Sequence, residues 1–148
     1  HAWHIQYVEP ARAQNSVHLI SAGAVLQDNG GIIAIADGAE TIQLDQQRDG
    51  NFKVMRNNNV LFHTVSHPEA SLDYYTKLQG DCNLITRKGR PWDKGDVVWK
   101  SDIRIDYMPG NGRENPECFL ALNKDDDTLS IYVGTPDKVL AELWNSDW

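Results

Sequence analysis

The feature that most constrains the fold is a polar motif that occurs twice in nearly the same form. QRDGNFKVM (47 to 55) and QGDCNLITR (79 to 87) both carry Gln, Asp and Asn at every second position. In a β-strand, alternate side chains point to opposite faces, and those on one face are about 6.5 to 7 Å apart. The polar residues of each copy are therefore expected on one face, with the intervening residues directed toward a core.

Each copy of this motif is followed by a second apolar segment that ends in an aromatic residue. The segments are NVLFHT, with Phe62, and DVVWKSD, with Trp99. A repeated unit that cannot bury its own apolar face is stabilised by packing against its neighbours. With a third unit closed by Trp144, the repeats predict a three-sided β-prism in which Phe62, Trp99 and Trp144 lie together near a shared axis.

The third copy is less regular than the other two. It is CFLALNKDDDTLSIY (118 to 132), followed by LAELWNSD. Its matching polar positions are Asn123, Asp125, Asp127 or Thr128, and Tyr132. This match requires one inserted residue, which we expect to form a β-bulge.

The rest of the chain supports an all-β fold. Short segments rich in β-branched residues, such as SVHLIS, GIIAIA and TIQL, are separated by the turn sequences DNGG, DGAE and RDGN. Only KVLAELW has helical spacing, and it is too short to define a helix. Residues 1–16 lack a sustained period and contain Pro10, so we expect an irregular or edge-strand leader, followed by one domain over 17–148.

Composition excludes several classes of partner. The 148 residues carry a net charge of −7 without a basic cluster, which argues against nucleic acid and against an anionic membrane surface. No apolar run approaches the roughly 18 to 20 residues of a membrane-spanning helix. The first residue is His rather than Met, which favours a processed chain, with signal-peptide removal and artificial trimming as alternatives. The two cysteines are an even number that a secreted protein could pair.

From about residue 40 to 147, the chain resembles the bulb-type (monocot mannose-binding-like) lectins, whose repeat is Gln-x-Asp-x-Asn-x-Val-x-Tyr followed by an apolar strand with Trp. The cysteines match as well, because Cys82 lies between Asp and Asn of one repeat and Cys118-Phe119-Leu120 opens the next. The resemblance implies an all-β, β-prism II fold with three pseudo-symmetric repeats. It also implies a disulfide between Cys82 and Cys118, here in the second and third repeats rather than the family's usual first and second.

The resemblance assigns a role to each position of the motif. In the family, Asp and Asn hold the axial 2-hydroxyl of mannose, Gln the 3-hydroxyl and Tyr the 4-hydroxyl, while Val packs on the sugar ring. Hydroxyls both donate and accept, and a carboxylate makes the stronger, charge-assisted bonds. In the second copy these roles fall to Gln79, Asp81, Asn83 and Ile85, with Arg87 replacing Tyr as a donor that would also suit an acidic glycan.

The other two copies keep fewer of these positions. The first retains Gln47, Asp49 and Asn51 but has Lys53 for Val and Met55 for Tyr. The third offers Asn123, Asp125 and Tyr132 as sugar-binding residues. We therefore expect binding to concentrate in the second copy.

The function implied is that of a secreted, extracellular lectin for mannose-containing glycans or glycoproteins, without a cofactor. A single exposed sugar site is weak, so useful affinity would need several sites or an oligomer, and a homodimer is one arrangement that would supply them. The alternative is a secreted interaction, effector or defence protein on the same fold, with sugar binding lost or changed. Its contacts would use loops such as 87 to 96 and 104 to 117.

Metal binding and catalysis are not expected. Asp125, Asp126 and Asp127 lack the alternating spacing and the glycine of a calcium loop, so a solvated turn is the simpler interpretation. A copper site built on an N-terminal histidine remains an alternative, and its candidate residues are His1, His4, His18, His63 and His67. The sequence contains no nucleophile elbow and no Cys-His signature, so we expect no enzyme.

Overall fold

β-strands are the main secondary structure of the residues that the structure describes. The structure is a computed structural model that describes residues 10–27, 32–66, 73–92, 95–103 and 117–148. It contains a 3-10 helix, Ala11–Asn15, and the following strands: β1 Ser16–Ser21, β2 Val25–Gln27, β3 Ile32–Asp37, β4 Glu40–Gln46, β5 Phe52–Arg56, β6 Asn59–His63, β7 Tyr74–Leu78, β8 Leu84–Lys88, β9 Val97–Lys100, β10 Cys118–Asn123, β11 Thr128–Thr135 and β12 Lys138–Asn145. The all-β prediction is confirmed.

The strands form three four-stranded sheets in the orders β1-β10-β11-β12, β2-β7-β8-β9 and β3-β4-β5-β6. The segment KVLAELW, whose spacing suggested a helix, lies in β12 and pairs antiparallel with β11. The predicted leader lies partly outside the described residues, and β1 already begins at Ser16. Within the described residues, no helix combines the length and apolar character needed to cross a membrane.

Contacts divide the chain into two compact units. The first comprises described residues within 1–24, 78–83 and 101–148, and it contains the sheet β1-β10-β11-β12. All of β10 and most of β11 are buried, as expected for central strands covered on both faces. The 3-10 helix lies on this sheet, where Ala13 packs with Phe119, Ala121, Tyr132 and Val139.

The disulfide also belongs to the first unit and confirms the predicted pairing. Cys82 and Cys118 are bonded, with their Cα atoms 6.0 Å apart and 36 positions apart in sequence. Both residues are buried. The bond ties the turn of the second motif copy to the start of β10, a link between segments that are distant in sequence.

The second unit comprises described residues within 25–77 and 84–100, and it contains the other two sheets apart from Leu78 at the end of β7. Its core is apolar and tightly closed; Ile42, Leu44, Phe52, Val54 and Leu84 are fully buried. The turn between β5 and β6 holds Asn57 and Asn58 at φ of 49° and 69°. Asn tolerates this left-handed conformation, which explains why NNN marks a tight hairpin.

The aromatic residues that close the motif copies are only half-buried. Phe62 and Trp99 contact each other edge to face, with ring centroids 5.7 Å apart, as predicted for this pair. Trp144 belongs to the first unit, on β12 opposite Ile131. Its place in a shared aromatic cluster stays a prediction.

Candidate functional site

The three motif copies share one turn, in which an aspartate caps the backbone two residues later. Oδ1 of Asp49 accepts from the Asn51 amide at 3.1 Å, and Oδ1 of Asp81 accepts from the Asn83 amide at 3.0 Å. The third such turn joins Asp126 to the Thr128 amide at 3.2 Å. This is the Asx turn, which aspartate favours because its side chain reaches that amide. Part of the motif is therefore structural.

The residue between each pair has a positive φ. The values are 85° at Gly50, 72° at Cys82 and 56° at Asp127. These equivalent positions place the third copy at Lys124, Asp126, Thr128, Ser130 and Tyr132, without an inserted residue. This register is shifted by one position from the predicted match at Asn123 and Asp125, whose part in sugar binding stays a prediction. Three consecutive aspartates are ambiguous in sequence, and only the turn geometry identifies the capping carboxylate.

The second copy presents an ordered cluster of polar groups. Its turn is closed by the Gln79 amide donating to the Asn83 carbonyl at 2.8 Å and by the Cys82 amide donating to the Gln79 carbonyl at 2.9 Å. Oδ1 of Asn83 accepts from the Ile103 amide at 2.8 Å and from the Ser101 hydroxyl at 3.3 Å. These bonds fix the Asn83 amide plane.

Several polar atoms of this cluster have no partner among the described residues and can bind a ligand. Among the described residues, none bonds the side chain of Gln79, the second carboxylate oxygen of Asp81 or Nδ2 of Asn83. Asp81 is exposed, while Gln79 and Asn83 are partly exposed. The turn thus offers the side-chain amide of Gln79, a carboxylate oxygen of Asp81 and the Nδ2 donor of Asn83. Such a set of donors and acceptors suits hydroxyl groups.

Ile85 and Arg87 belong to β8 in the second unit. Ile85 is only 7% exposed, and Nη1 of Arg87 donates to the Gly95 carbonyl at 2.9 Å. The guanidinium is therefore partly committed to its own hairpin. Nothing in the sequence indicated this bond, because Gly95 lies across the β8–β9 loop.

In the first copy, the amide side chains have protein partners. Nε2 of Gln47 donates to Oδ2 of Asp45 at 3.3 Å. Asn51 is 6% exposed and accepts from the Thr64 hydroxyl at 3.4 Å, while that hydroxyl also accepts from the Phe52 amide at 2.9 Å. This copy retains the motif residues but commits much of their bonding capacity internally.

The third copy forms a closed network. Tyr132 is fully buried, and its hydroxyl donates to Oδ1 of Asn123 at 2.5 Å. Asn123 is itself fully buried, and its Nδ2 donates to the hydroxyls of Thr128 at 3.0 Å and Ser130 at 2.8 Å. Nδ2 of Asn145 donates to the same two hydroxyls, both at 2.9 Å. Burial raises the pKa of Tyr132 to about 12, and the charge of Glu142 acts in the same direction. Tyr132 is thus a neutral, internally bonded group.

Charged residues complete this network. Arg12, in the 3-10 helix, places Nη1 3.2 Å from Oδ2 of Asp126 and Nε 3.0 Å from Oε2 of Glu142. Glu142 also accepts from the Ser130 hydroxyl. Burial tends to raise the pKa of Asp126, but hydrogen bonds from Thr128 and the guanidinium of Arg12 outweigh it and leave that pKa below its ordinary value. Sequence reasoning missed Arg12 and Glu142, since neither belongs to the motif.

The described histidines are engaged in local contacts. Nε2 of His18 lies 2.8 Å from the Ser21 hydroxyl, and Nδ1 of His63 lies 2.9 Å from the Thr64 carbonyl. His1, His4 and His67, the other candidates for the copper site, lie outside the described residues. Within the described part of the chain, no group of three or more His, Cys, Asp or Glu residues is arranged to hold a metal ion.

Comparison with known proteins identifies the fold. No protein-family model and no curated protein matches the sequence. Among solved structures, a monomeric mannose-binding lectin from Gastrodia elata matches with a TM-score of 0.57 and 20% identity over 88% of this chain and 96% of its own. A lectin from Allium sativum matches with a TM-score of 0.53 and 15% identity, covering 78% of this chain and 93% of its own.

A mannose-specific bulb lectin from Scilla campanulata gives a TM-score of 0.53 at 19% identity, covering 80% of this chain and 93% of its own. These matches and the three four-stranded sheets show that the chain has the bulb-type lectin fold, the β-prism II.

Proposed function

We propose that this chain is a secreted, extracellular carbohydrate-binding protein for mannose-type glycans, without catalytic activity, and that it binds through Gln79, Asp81 and Asn83. One observation carries the proposal: the second copy keeps polar groups that no described residue bonds, whereas the third copy is closed and the first is largely bonded internally. The Scilla campanulata lectin of the same fold is mannose-specific. The buried disulfide also fits an oxidising compartment.

The geometry of the second copy supports hydroxyl recognition. One carboxylate oxygen of Asp81 caps the turn, which holds the other oxygen in place for a charge-assisted bond from a sugar hydroxyl. The Ile103 amide and the Ser101 hydroxyl orient Asn83 so that Nδ2 can donate. Because an exposed site of this size excludes little water, we expect a dissociation constant on the order of millimolar, or about −4 kcal/mol.

Binding to immobilised oligomannose tests the proposal with matched variants. Asp81→Asn retains an oxygen for the turn but removes the charged acceptor, so retention should fall to the level of a column without sugar. Asp49→Asn makes the same change in the first copy, where the amides already have partners, and should leave most retention intact. Equal losses in both variants, or no retention of the wild-type chain, would contradict the proposal.

A second candidate is an interaction or effector protein that uses the loop after β8; of the other predicted contact loop, 104 to 117, all but the last residue lies outside the described residues. This loop is anchored because Arg90 pairs with Asp73 at 3.1 Å and Arg87 bonds the Gly95 carbonyl. Trp92 on the same loop is 74% exposed, a large apolar side chain in a position suited to a protein partner. A glycan array without hits would favour this candidate.

Light scattering would show whether a homodimer supplies the several sites that a weak lectin needs.

A further inference from the structure

The face of the third copy is covered by a segment of the same chain. Residues 10–15, here called the N-terminal strap, form a tight turn in which the Ala13 amide donates to the Pro10 carbonyl at 3.0 Å. Ala13 is buried against Phe119 and Tyr132. The Ser16 hydroxyl donates to the Ala13 carbonyl at 2.7 Å and fixes the end of the strap at β1.

The strap is held by polar contacts along its length. The Lys124 amide donates to the Asn15 carbonyl at 2.9 Å. In the first two copies, the amide at the equivalent position, Gln47 or Gln79, donates instead to the carbonyl of the motif Asn. Nδ2 of Asn15 also donates to Oδ1 of Asp125 at 2.7 Å. The strap has therefore replaced a bond that the other turns make within themselves.

The guanidinium of Arg12 is matched to two carboxylates. Its Nη1 faces Asp126 and its Nε faces Glu142, two residues from different strands and turns of the sheet. A planar guanidinium presents several donors in fixed directions, whereas an ammonium is a single point charge. The fixed directions of its donors suit the guanidinium to these two acceptors. Glu142 also accepts from Ser130, which is fully buried, as is Tyr132, the last residue of this copy.

We infer that the third copy is a binding site for a guanidinium-bearing peptide segment, and that the N-terminal strap is its resident ligand. Asp126, which occupies the position of the sugar-binding aspartate, holds Arg12 instead of a hydroxyl. The strap consequently keeps glycans away from residues 124–132. This inference does not depend on sugar binding in the second copy.

Chemical rescue of an Arg12→Ala variant tests the specificity for guanidinium. Removing the side chain should free the strap and speed exchange of the Lys124 amide hydrogen by about tenfold or more, because local opening controls this exchange. Tens of millimolar n-propylguanidinium should slow the exchange again by filling the vacated cleft, while n-butylammonium should not. Arg12→Lys, which keeps the charge, should retain only part of the protection.

Two results would overturn the inference. One is unchanged Lys124 exchange in Arg12→Ala; the other is equal rescue by both cations, which would indicate simple charge neutralisation. Mannose titration of the wild-type chain also tests the inference, and it does not depend on the folding of any variant. Mannose should leave the amide resonances of residues 124–132 in place, and a shift there would show that the strap does not exclude sugar. Residues 79–83 report separately on the proposed function.

Discussion

At the scale of the residue, the same aspartate serves different purposes in the three copies. Asp49, Asp81 and Asp126 all cap an Asx turn. They differ in the partner of the remaining carboxylate oxygen, which for Asp126 is Arg12, while for Asp81 no described residue supplies one. The motif therefore predicts the turn reliably, but the ligand of the carboxylate depends on groups that lie elsewhere in the chain.

The raised pKa of Tyr132 predicts a loss of stability in alkali. An unfolded tyrosine ionises near pH 10, whereas buried Tyr132 holds its proton to about pH 12. The protonated Tyr132 therefore makes its full contribution to the free energy of unfolding below pH 10. This contribution is lost progressively as pH rises from 10 to 12. Urea unfolding across this range should show the decline. In Tyr132→Phe, this component should disappear.

Tyr132→Phe should also destabilise the fold at neutral pH. Its hydroxyl donates to Asn123, which is fully buried, so the substitution leaves an acceptor without its donor. Loss of such a bond costs about 1 to 3 kcal/mol. Urea unfolding at pH 7 measures the cost, and a value near zero would contradict a closed polar network.

The lowered pKa of Asp126 predicts that acid releases the strap. The folded-state pKa lies below the ordinary aspartate value of 3.8, so the stabilisation is present above that value and is lost as pH falls through the folded pKa. The charged group that lowers this pKa is the guanidinium of Arg12, which also pairs with Glu142. The protection factor of the Lys124 amide should fall below about pH 3.8. Asp126→Asn should weaken the strap already at neutral pH, and an unchanged acid response in that variant would exclude Asp126 as its source.

At the scale of the element, strand alternation and turn residues predicted most of the sheets. SVHLIS, IIAIA and TIQL all lie in strands, and the described stretches DGAE and RDGN contain turns. The spacing of KVLAELW was misleading because the segment forms β12, which pairs with β11; Val139 and Ala141 are buried by strand alternation, while the residues beside them are exposed or half-exposed. Pairing across a sheet overrides the weak period of a short segment.

The N-terminal strap could not be predicted from periodicity. Its contacts join residues more than a hundred positions apart, as in the bond from Arg12 to Asp126 with a separation of 114. Neither the sequence of the leader nor that of the DDD turn contains a local pattern that predicts their contact. Charge complementarity within the folded first unit connects them, and this appears only once β1 and β10 pair.

The disulfide is the element whose removal should cost most. Its loop spans 36 positions, for which the chain-entropy model gives a stabilisation of roughly 3 to 4 kcal/mol. A double Cys82→Ser, Cys118→Ser variant should lower the free energy of unfolding by about this amount. Urea unfolding provides the measurement, with Asp49→Asn as a control that leaves the disulfide intact. Two titratable thiols in the native, unreduced protein would contradict the bond.

At the scale of the whole molecule, the three copies of one motif on a β-prism II fold differ in how their polar groups are bonded. The second copy keeps unbonded polar groups, the first satisfies its amides internally, and the third holds the strap. The repeats and the cysteine placement, through the family resemblance that they carry, were enough to predict the fold and the disulfide. They could not predict which copy remains available, since availability depends on partners such as Thr64, Ile103 and Arg12 that lie outside the motif.

A titration of the isotope-labelled wild-type chain with mannose and oligomannose, followed by amide resonances, addresses sugar binding most directly. Shifts that saturate on the order of millimolar sugar should appear in residues 79–83, with smaller changes in 47–51 and none in 124–132. Galactose provides the control for mannose specificity. If residues 79–83 do not move at tens of millimolar mannose or oligomannose, the second copy does not bind this sugar, and the proposed function is wrong.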